Sequence, residues 1–289
     1  MNKQTLKQIH ERIKPYIHRT PVLTSQLINN MAGAQVFFKC ENFQKMGAFK
    51  MRGASSALLN LSPKQKEKGV VTHSSGNFAQ AIALAAKQLG IKTYIVMPEN
   101  APQSKKDAVK TYEGNIIECE STAMAREKMA ENIRIENEAT FVHPSNDLNV
   151  IYGQATAAIE LLEDHPDLDY IFAPIGGGGL IAGTCLAAKN FSNKCKVIGG
   201  EPKNADDAFR SLQSGNIEYH DTPNTIADGL RTFLGDKNFP IIKEHVERII
   251  LVEESEIIDA MKLVWERMKI IIEPSSAVAF AALLKEKEM

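Results

Sequence analysis

Residues 70–97 read VVTHSSGNFAQAIALAAKQLGIKTYIVM: an apolar pair at Val70-Val71, a segment with Phe78, Ala81, Ile82, Ala85 and Leu89 on one stripe, and the run Tyr94-Ile95-Val96-Met97. The stripe has the period of a helix and the flanking runs read as strands, so the stretch predicts a βαβ unit. The pattern continues C-terminally with a helix near Lys105 to Tyr112, a strand at Asn115-Ile116-Ile117, a helix carrying Ala125, Met129 and Ile133, and Thr140-Phe141-Val142. Four short strands and three helices in succession predict a compact parallel-sheet subdomain.

Outside it lie two flanks. On the N-terminal side, Leu6, Ile9 and Ile13 recur at helical spacing until Pro15, and Val36-Phe37-Phe38 reads as a first strand. On the C-terminal side a second series follows: a helix through Ala155 to Leu162, the strand Tyr170-Ile171-Phe172-Ala173, four glycines, a helix through Ala188 and the strand Lys196-Val197-Ile198. Residues 203 to 240 lose this regularity and read as a functional loop region. Then come Ile249-Ile250-Leu251-Val252 and a helix whose face carries Ile257, Met261, Val264, Trp265 and Met268, which puts Trp265 in the core. The fold class expected is α/β with two parallel-sheet domains: 1–68 and 147–289 form a large domain in two parts, and 69–146 a small mobile one. Ligands of such folds bind in the cleft between them.

Composition narrows the function. A chain of 289 residues with 44% apolar and 24% charged residues can bury a real core, so no disulfide or structural metal is required. Thirty-four basic against 35 acidic residues leave a net charge of -1, which argues against a nucleic-acid or membrane partner and for a small-molecule substrate. Cys40, Cys119, Cys185 and Cys195 form no CxxC pair and read as buried free thiols. The N-terminus, with Lys3, Lys7, Glu11, Arg12 and Lys14, lacks the apolar core of a secretory signal, and a cytoplasmic location is expected. The uncharged run Tyr170 to Ala188 is broken by Pro174 and the glycines and does not read as a membrane span.

Gly176-Gly177-Gly178-Gly179 stands between a strand and a helix, where bare N–H groups and a helix N-terminus can hold a phosphate. Gly177, Gly179 and Ala182 also satisfy GxGxxA, with Glu201 ending the next strand near the place of a ribose-binding acid, so a dinucleotide site is an alternative. Close helix–sheet packing is a third. Upstream, the segment from Glu41 to Ala54, ENFQKMGAFKMRGA, sets Lys50 beside Phe49 in a Gly-bounded stretch, which taken alone reads either as a solvated surface lysine or as a partly desolvated place where an ammonium pKa falls and the amine can form a Schiff base.

The Glu41 to Ala54 segment resembles the cofactor-lysine segment of the fold-type II pyridoxal-phosphate enzymes, the class that includes tryptophan synthase β. Within it the chain is similar to the serine racemase and threonine/serine dehydratase family, and closest in wording to the racemase branch. The likeness extends through Ser74-Ser75-Gly76-Asn77, the tetraglycine, Glu201 to Asp207, Thr225 to Gly229, Trp265 to Lys269 and Glu273-Pro274-Ser275. It implies a homodimeric lyase or racemase of amino-acid metabolism. Lys50 would hold pyridoxal 5'-phosphate as a Schiff base, with Phe49 near the ring, Gly176 to Gly179 and Leu180 at the phosphate, and Asn77 at the ring oxygen. Ser74, Ser75, Gly76 and Asn77 would bind the substrate carboxylate, and Ser75 would serve as the second acid/base opposite Lys50. Ser74 or Ser75 as a plain helix N-cap is the structural alternative.

The same resemblance implies that Glu201, the Ala205 carbonyl and Asp207 hold Mg²⁺ or Ca²⁺, against the simpler reading of an acidic turn that caps a helix. His73 and His143 read as structural histidines. The family commonly has His where Phe78 stands, which leaves the accepted side chain open among L-serine, L-threonine and 3-hydroxyaspartate. The chain also ends at Met289, before the strand and Ser-Gly-Gly-Asn segment that contacts the pyridine nitrogen in such enzymes. A 3-hydroxyaspartate dehydratase and a catalytically impaired cofactor-binding member are therefore the alternatives to a serine racemase and L-serine (L-threonine) dehydratase.

Overall fold

Two parallel sheets organise the chain, which a computed structural model describes over residues 1–220 and 223–286. The first contains β3 (Val70–His73), β4 (Thr93–Pro98), β5 (Asn115–Cys119) and β6 (Thr140–Phe141), in the order β5-β4-β3-β6. Its crossovers are α5 (Asn77–Leu89), α6 (Gln103–Thr111) and α7 (Ala123–Glu136), as the 70–142 periodicity predicts. The second contains β7 (Tyr170–Pro174), β8 (Lys196–Pro202) and β9 (Val246–Val252), in chain order and parallel. Flanking it are α8 (Leu148–Asp164), α9 (Gly179–Phe191), α10 (Asp207–Ser214), α11 (Phe239–His245), α12 (Glu254–Leu263) and α13 (Pro274–Glu286). The N-terminal part supplies α1 (Lys3–Ile13), α2 (Gln26–Ala32), α3 (Lys50–Leu59) and α4 (Pro63–Lys68), plus a two-stranded antiparallel pair, β1 (Val22–Leu23) and β2 (Phe38–Lys39).

Helix α3 is the piece shared by both halves. Its Met51, Ala54 and Leu58 pack with Phe78 and Ile82 of α5 in one core cluster, while its Gly53 meets α8. A Cβ on Gly153 would stand 2.5 Å from the Arg52 carbonyl and 2.8 Å from the Gly53 Cα, so the two helices touch backbone to backbone.

Three expectations need correction. Only Phe38 of Val36-Phe37-Phe38 is in a strand, because β2 is a short pairing with Val22–Leu23 rather than part of a main sheet. Residues 203–240 are not loop throughout, since they contain α10. Trp265 is 45% exposed rather than core. It sits about 80° round the helix from Ile257 at 100° per residue, at the edge of the stripe. From Val264 to Met268 the turn also widens to a π-helix. All four cysteines are free thiols, and among the described residues no helix is long and apolar enough to cross a membrane.

Helices α8 and α9 repeat the close approach of α3 and α8. A Cβ on Gly183 would lie 2.6 Å from the Ile151 carbonyl and 2.7 Å from the Ala155 nitrogen. Both neighbours are backbone and cannot rotate away. Gly183→Ala is expected to destabilise the fold by about 1–3 kcal/mol, read as a lower urea midpoint at unchanged slope; an unchanged midpoint would show that the helices separate freely.

Candidate active site

Three turns meet in one cleft between the sheets: the start of α3 with Phe49 and Lys50, the β3–α5 turn from Ser74 to Asn77, and the β7–α9 turn from Gly176 to Leu180. The last two leave the C-terminal ends of parallel strands, where helix N-termini converge and anions bind. The sequence-predicted cofactor and substrate residues are therefore brought together, although they come from three separate stretches of chain.

Lys50 is half-buried in the wall of the cleft. Its Nζ donates to the Pro144 carbonyl at 3.1 Å and stands 5.0 Å from the centre of the Phe49 ring and 5.9 Å from that of Phe78. Burial pushes its pKa down from 10.5 to about 8, against the charge of Glu273, which acts in the opposite direction. An amine so lowered is neutral for an appreciable part of the time near neutral pH, as a nucleophile or proton acceptor must be. Phe78 is buried and gives the amine an apolar wall with no donor.

The glycine loop is shaped by crowding. A Cβ on Gly177 would meet the Ser145 Oγ at 2.3 Å, one on Gly176 the Leu230 Cα at 2.8 Å, and Gly178 has φ of 76°, in the left-handed region. Asn238 ties the loop down: it is fully buried, and its Nδ2 donates to the carbonyls of Gly177 at 2.8 Å and Ser145 at 3.2 Å. Gly178 starts the 13-residue α9 without a side-chain cap, so the first N–H groups of that helix are open to an anion from the cleft.

At the opposite turn, Gly76 is the residue that starts α5, again without a side-chain cap. The plain N-cap reading of Ser74 and Ser75 is thereby overturned: Ser74 Oγ accepts the Gly76 N–H at 3.3 Å rather than an N–H within α5, and both serines line the cleft. Asn77 donates through Nδ2 to both oxygens of Glu273, at 3.2 and 3.0 Å. His143 shapes the neighbouring turn: its Nδ1 accepts from the N–H groups of Ser145 and Asn146 at 3.1 and 2.8 Å. Burial first, then the positive charges nearby, push its pKa down to about 4, so it is a neutral structural histidine as expected. His73, whose ring lies 5.4 Å from that of Phe141, is likewise shifted down by burial.

Glu273, Asn238 and Ser145 are site residues whose roles the sequence reading missed. Glu273 was visible inside a matched motif and Asn238 inside the irregular 203–240 region. Nothing in the sequence singled out Ser145.

Glu201, Ala205 and Asp207 do not line this cleft. They lie at the end of β8 and the start of α10. Glu201 accepts the N–H groups of Ala208 and Phe209, each at 2.9 Å, and so caps α10. That bonding also overturns the dinucleotide reading, because the buried carboxylate cannot reach a ribose. Asp207 is buried, with Oδ1 3.2 Å from Nε2 of His220 and Oδ2 without a hydrogen-bond partner among the described residues. Burial raises both carboxyls, Asp207 to about 7. Among the described residues no group of three or more His, Cys, Asp or Glu side chains could hold a metal ion.

A lysine amine lowered to about 8 and an uncapped helix N-terminus lining the same cleft fit pyridoxal phosphate, and comparison with known proteins agrees. The chain is 51% identical to a serine racemase of Dictyostelium discoideum over 284 residues, covering 98% of this chain and 88% of that protein. It is 50% identical to a beta-hydroxyaspartate dehydratase of Paracoccus denitrificans over 279 residues, covering 96% and 89%. The crystal structure of the Dictyostelium serine racemase superposes with a TM-score of 0.96 over 100% of this chain and 94% of that one. Residues 13–289 match the model of the family described as pyridoxal-phosphate dependent enzyme, and the chain belongs to that family.

Proposed function

We propose that the protein is a serine racemase and L-serine (L-threonine) dehydratase. The observation that carries this reading is the half-buried Lys50 amine, lowered to about 8, in a cleft that two uncapped helix N-termini also line. Pyridoxal phosphate, when bound, supplies an aldehyde for the substrate nitrogen and a ring that takes up the electrons left as the Cα proton departs. The residues present fit that group: Lys50 would hold the aldehyde carbon, Phe49 would pack near the ring, Asn77 would face the ring oxygen, and Gly176 to Leu180 would bind the phosphate.

The chain's own part is to bind, orient and move protons. The N–H groups at the Ser74 to Asn77 turn hold the substrate carboxylate. Lys50 in its neutral form accepts the Cα proton. If Ser75 returns a proton to Cα from the other face, the product is the enantiomer; if the β-hydroxyl leaves as water, hydrolysis yields a 2-oxo acid and ammonia. Giving that proton would leave Ser75 as an alkoxide, and a hydroxyl is both a weak acid and a weak base, so the role requires a neighbouring charged group that holds and resupplies the proton. One relative is a beta-hydroxyaspartate dehydratase, and Arg126 on the wall of the same cleft could meet a second carboxylate, so 3-hydroxyaspartate is the second reading.

Three further points belong to this proposal. Residues 69–146 act as a small domain that closes on the rest; Lys105 Nζ to Asp228 Oδ2 at 2.6 Å and Asn77 to Glu273 link the two far from the crossing points, while Pro144, Ser145 and Asn146 at the C-terminal crossing bond Lys50, Asn238 and Asp236. A second copy of the chain covers the exposed Trp265 and Ile271, which are 45% and 80% accessible. Mg²⁺ or Ca²⁺ binds at Glu201, the Ala205 carbonyl and Asp207, supported by the hard oxygen donors and the unpartnered Asp207 Oδ2. A reducing cytoplasm suits the four thiols, two of which, Cys185 and Cys195, burial holds at about 12 and about 11.

The defining assay measures ammonia from L-serine, L-threonine and L-threo-3-hydroxyaspartate together with chiral analysis of residual serine. Lys50→Ala is expected to abolish both products and the visible absorbance, whereas Ser75→Ala loses D-serine by about 10²–10⁴-fold and ammonia less. No turnover of any of the three by a protein that binds the cofactor would identify an impaired family member instead. Chelation with EDTA, or Asp207→Ala, should lower the melting temperature; if both leave it unchanged, Glu201 and Asp207 only cap and start α10. Small-angle scattering should report a mass of two chains and a contraction on adding malonate. A single-chain mass, or an unchanged profile at saturation, would remove the dimer or the closure respectively.

A further inference from the structure

Arg52 follows Lys50 by two positions on α3, about 200° round the helix, and its side chain leaves the cleft for the interior behind it. It is 0% exposed. Its guanidinium is doubly forked: Nε and Nη2 donate to the two oxygens of Glu41 at 2.7 and 2.8 Å, while Nη1 and Nη2 donate to the two oxygens of Glu160 at 2.8 Å each. Nη1 also reaches the Thr156 Oγ1 at 3.2 Å. Glu160 is further bound by Lys39 Nζ at 2.7 Å and His10 Nε2 at 3.2 Å. Glu41 opens the segment that ends at Lys50, and Glu160 lies on α8. One planar cation thus joins the chain before the lysine, the first turn of its helix and the helix behind it.

Stability alone does not call for this arrangement. Apolar side chains of similar volume hold two helices together as well as a buried ion cluster, or better. What a bidentate fork adds is direction: two fixed hydrogen-bond pairs in a plane define the angle and register of the groups they join. Beside it, the backbone contact between Gly53 and Gly153 allows no slack across the interface. The segment it braces needs bracing, because Met46 and Gly47 both adopt positive φ, 57° and 82°, just before the reactive lysine.

We propose that Arg52, through Glu41 and Glu160, is a positioning residue that fixes where the Lys50 amine lies and keeps it dry. The inference rests on the reading of Lys50 as the cofactor-holding amine. Its test uses the full chain in two states. Freed of cofactor, the parent and Arg52→Lys are pulsed with acetic anhydride across a pH series, and acetylation of Lys50 is read by mass spectrometry. Loaded with cofactor, both are assayed for ammonia release from L-serine. Arg52→Lys keeps the charge and loses the fork, so Lys50 should titrate well above about 8, nearer an ordinary lysine. A group displaced by about 1 Å should lower kcat by up to about a hundredfold while KM stays nearly constant.

A lower melting point with Lys50 titration and kcat unchanged would overturn the proposal and leave Arg52 a structural residue. Should Arg52→Lys fail to fold, Glu41→Gln weakens only one side of the clamp and is judged by the same two readings. If the parent's own Lys50 titrates like a surface lysine and the protein shows no cofactor absorbance, the reading of Lys50 fails first, which is a different outcome from an unresponsive variant.

Discussion

The contact on which the rest of this structure depends is the one between α3 and α8. There the Gly53 and Gly153 backbones touch, and Arg52 divides its guanidinium between Glu41 and Glu160. Burying these charges is tolerable only because each is paired and bonded; with Arg52 removed, Glu160 would keep only Lys39 and His10 in the interior and the partly buried Glu41 would lose its guanidinium partner. Burial by itself would raise the Glu160 carboxyl, yet hydrogen bonds from His10 and Arg52 hold it well below the usual range. The Arg52–Glu160 pair stays ionised, and α3 has one seat against the large sheet's helices. From that seat it also packs on α5, so the other sheet takes its bearings from the same helix.

The chemistry of the cleft follows from what surrounds that seat. Lys50 points into the cleft from the first turn of α3, dried by Phe49 and Phe78 and bonded to Pro144 in a turn that neutral His143 shapes. Ser145 of that turn crowds the glycine loop, and Asn238 bonds both, so the amine's turn and the glycine loop are fixed to one another through neighbouring backbone. Such a site loses little order when a ligand arrives, which favours affinity.

Much of this was legible in the sequence where the signal is local. The βαβ periodicity of residues 70–142 gave the four-stranded sheet, and the two short motifs at Lys50 and Ser74 with the tetraglycine gave three walls of the cleft. What was lost is what distance in the chain hides. Arg52 and Glu160 are separated by 108 residues, Asn77 and Glu273 by 196, and no spacing rule connects them. Trp265 misled because an apolar stripe has edges, and a residue at the edge faces solvent as readily as core. Glu201 satisfied two sequence patterns at once, and only the N–H groups of α10 reveal how its carboxylate is used.

The two sheets divide labour in a way that bears on how such enzymes change over evolution. The amine, the glycine loop and their supports belong to or lean on the large sheet, whereas Ser74 to Phe78 and Arg126 come from the four-stranded one. A substitution at Ser74, Ser75 or Arg126 can alter which side chain is tolerated while leaving the Lys50 side chain's own supports in place, since neither the Arg52 fork nor the glycine contact is shared with them, whereas Phe78 touches both walls. Relatives of about equal similarity to this chain carry the names of a racemase and a dehydratase. A braced half that holds Lys50 beside a half whose side chains face the substrate offers a physical route to that diversity through few substitutions.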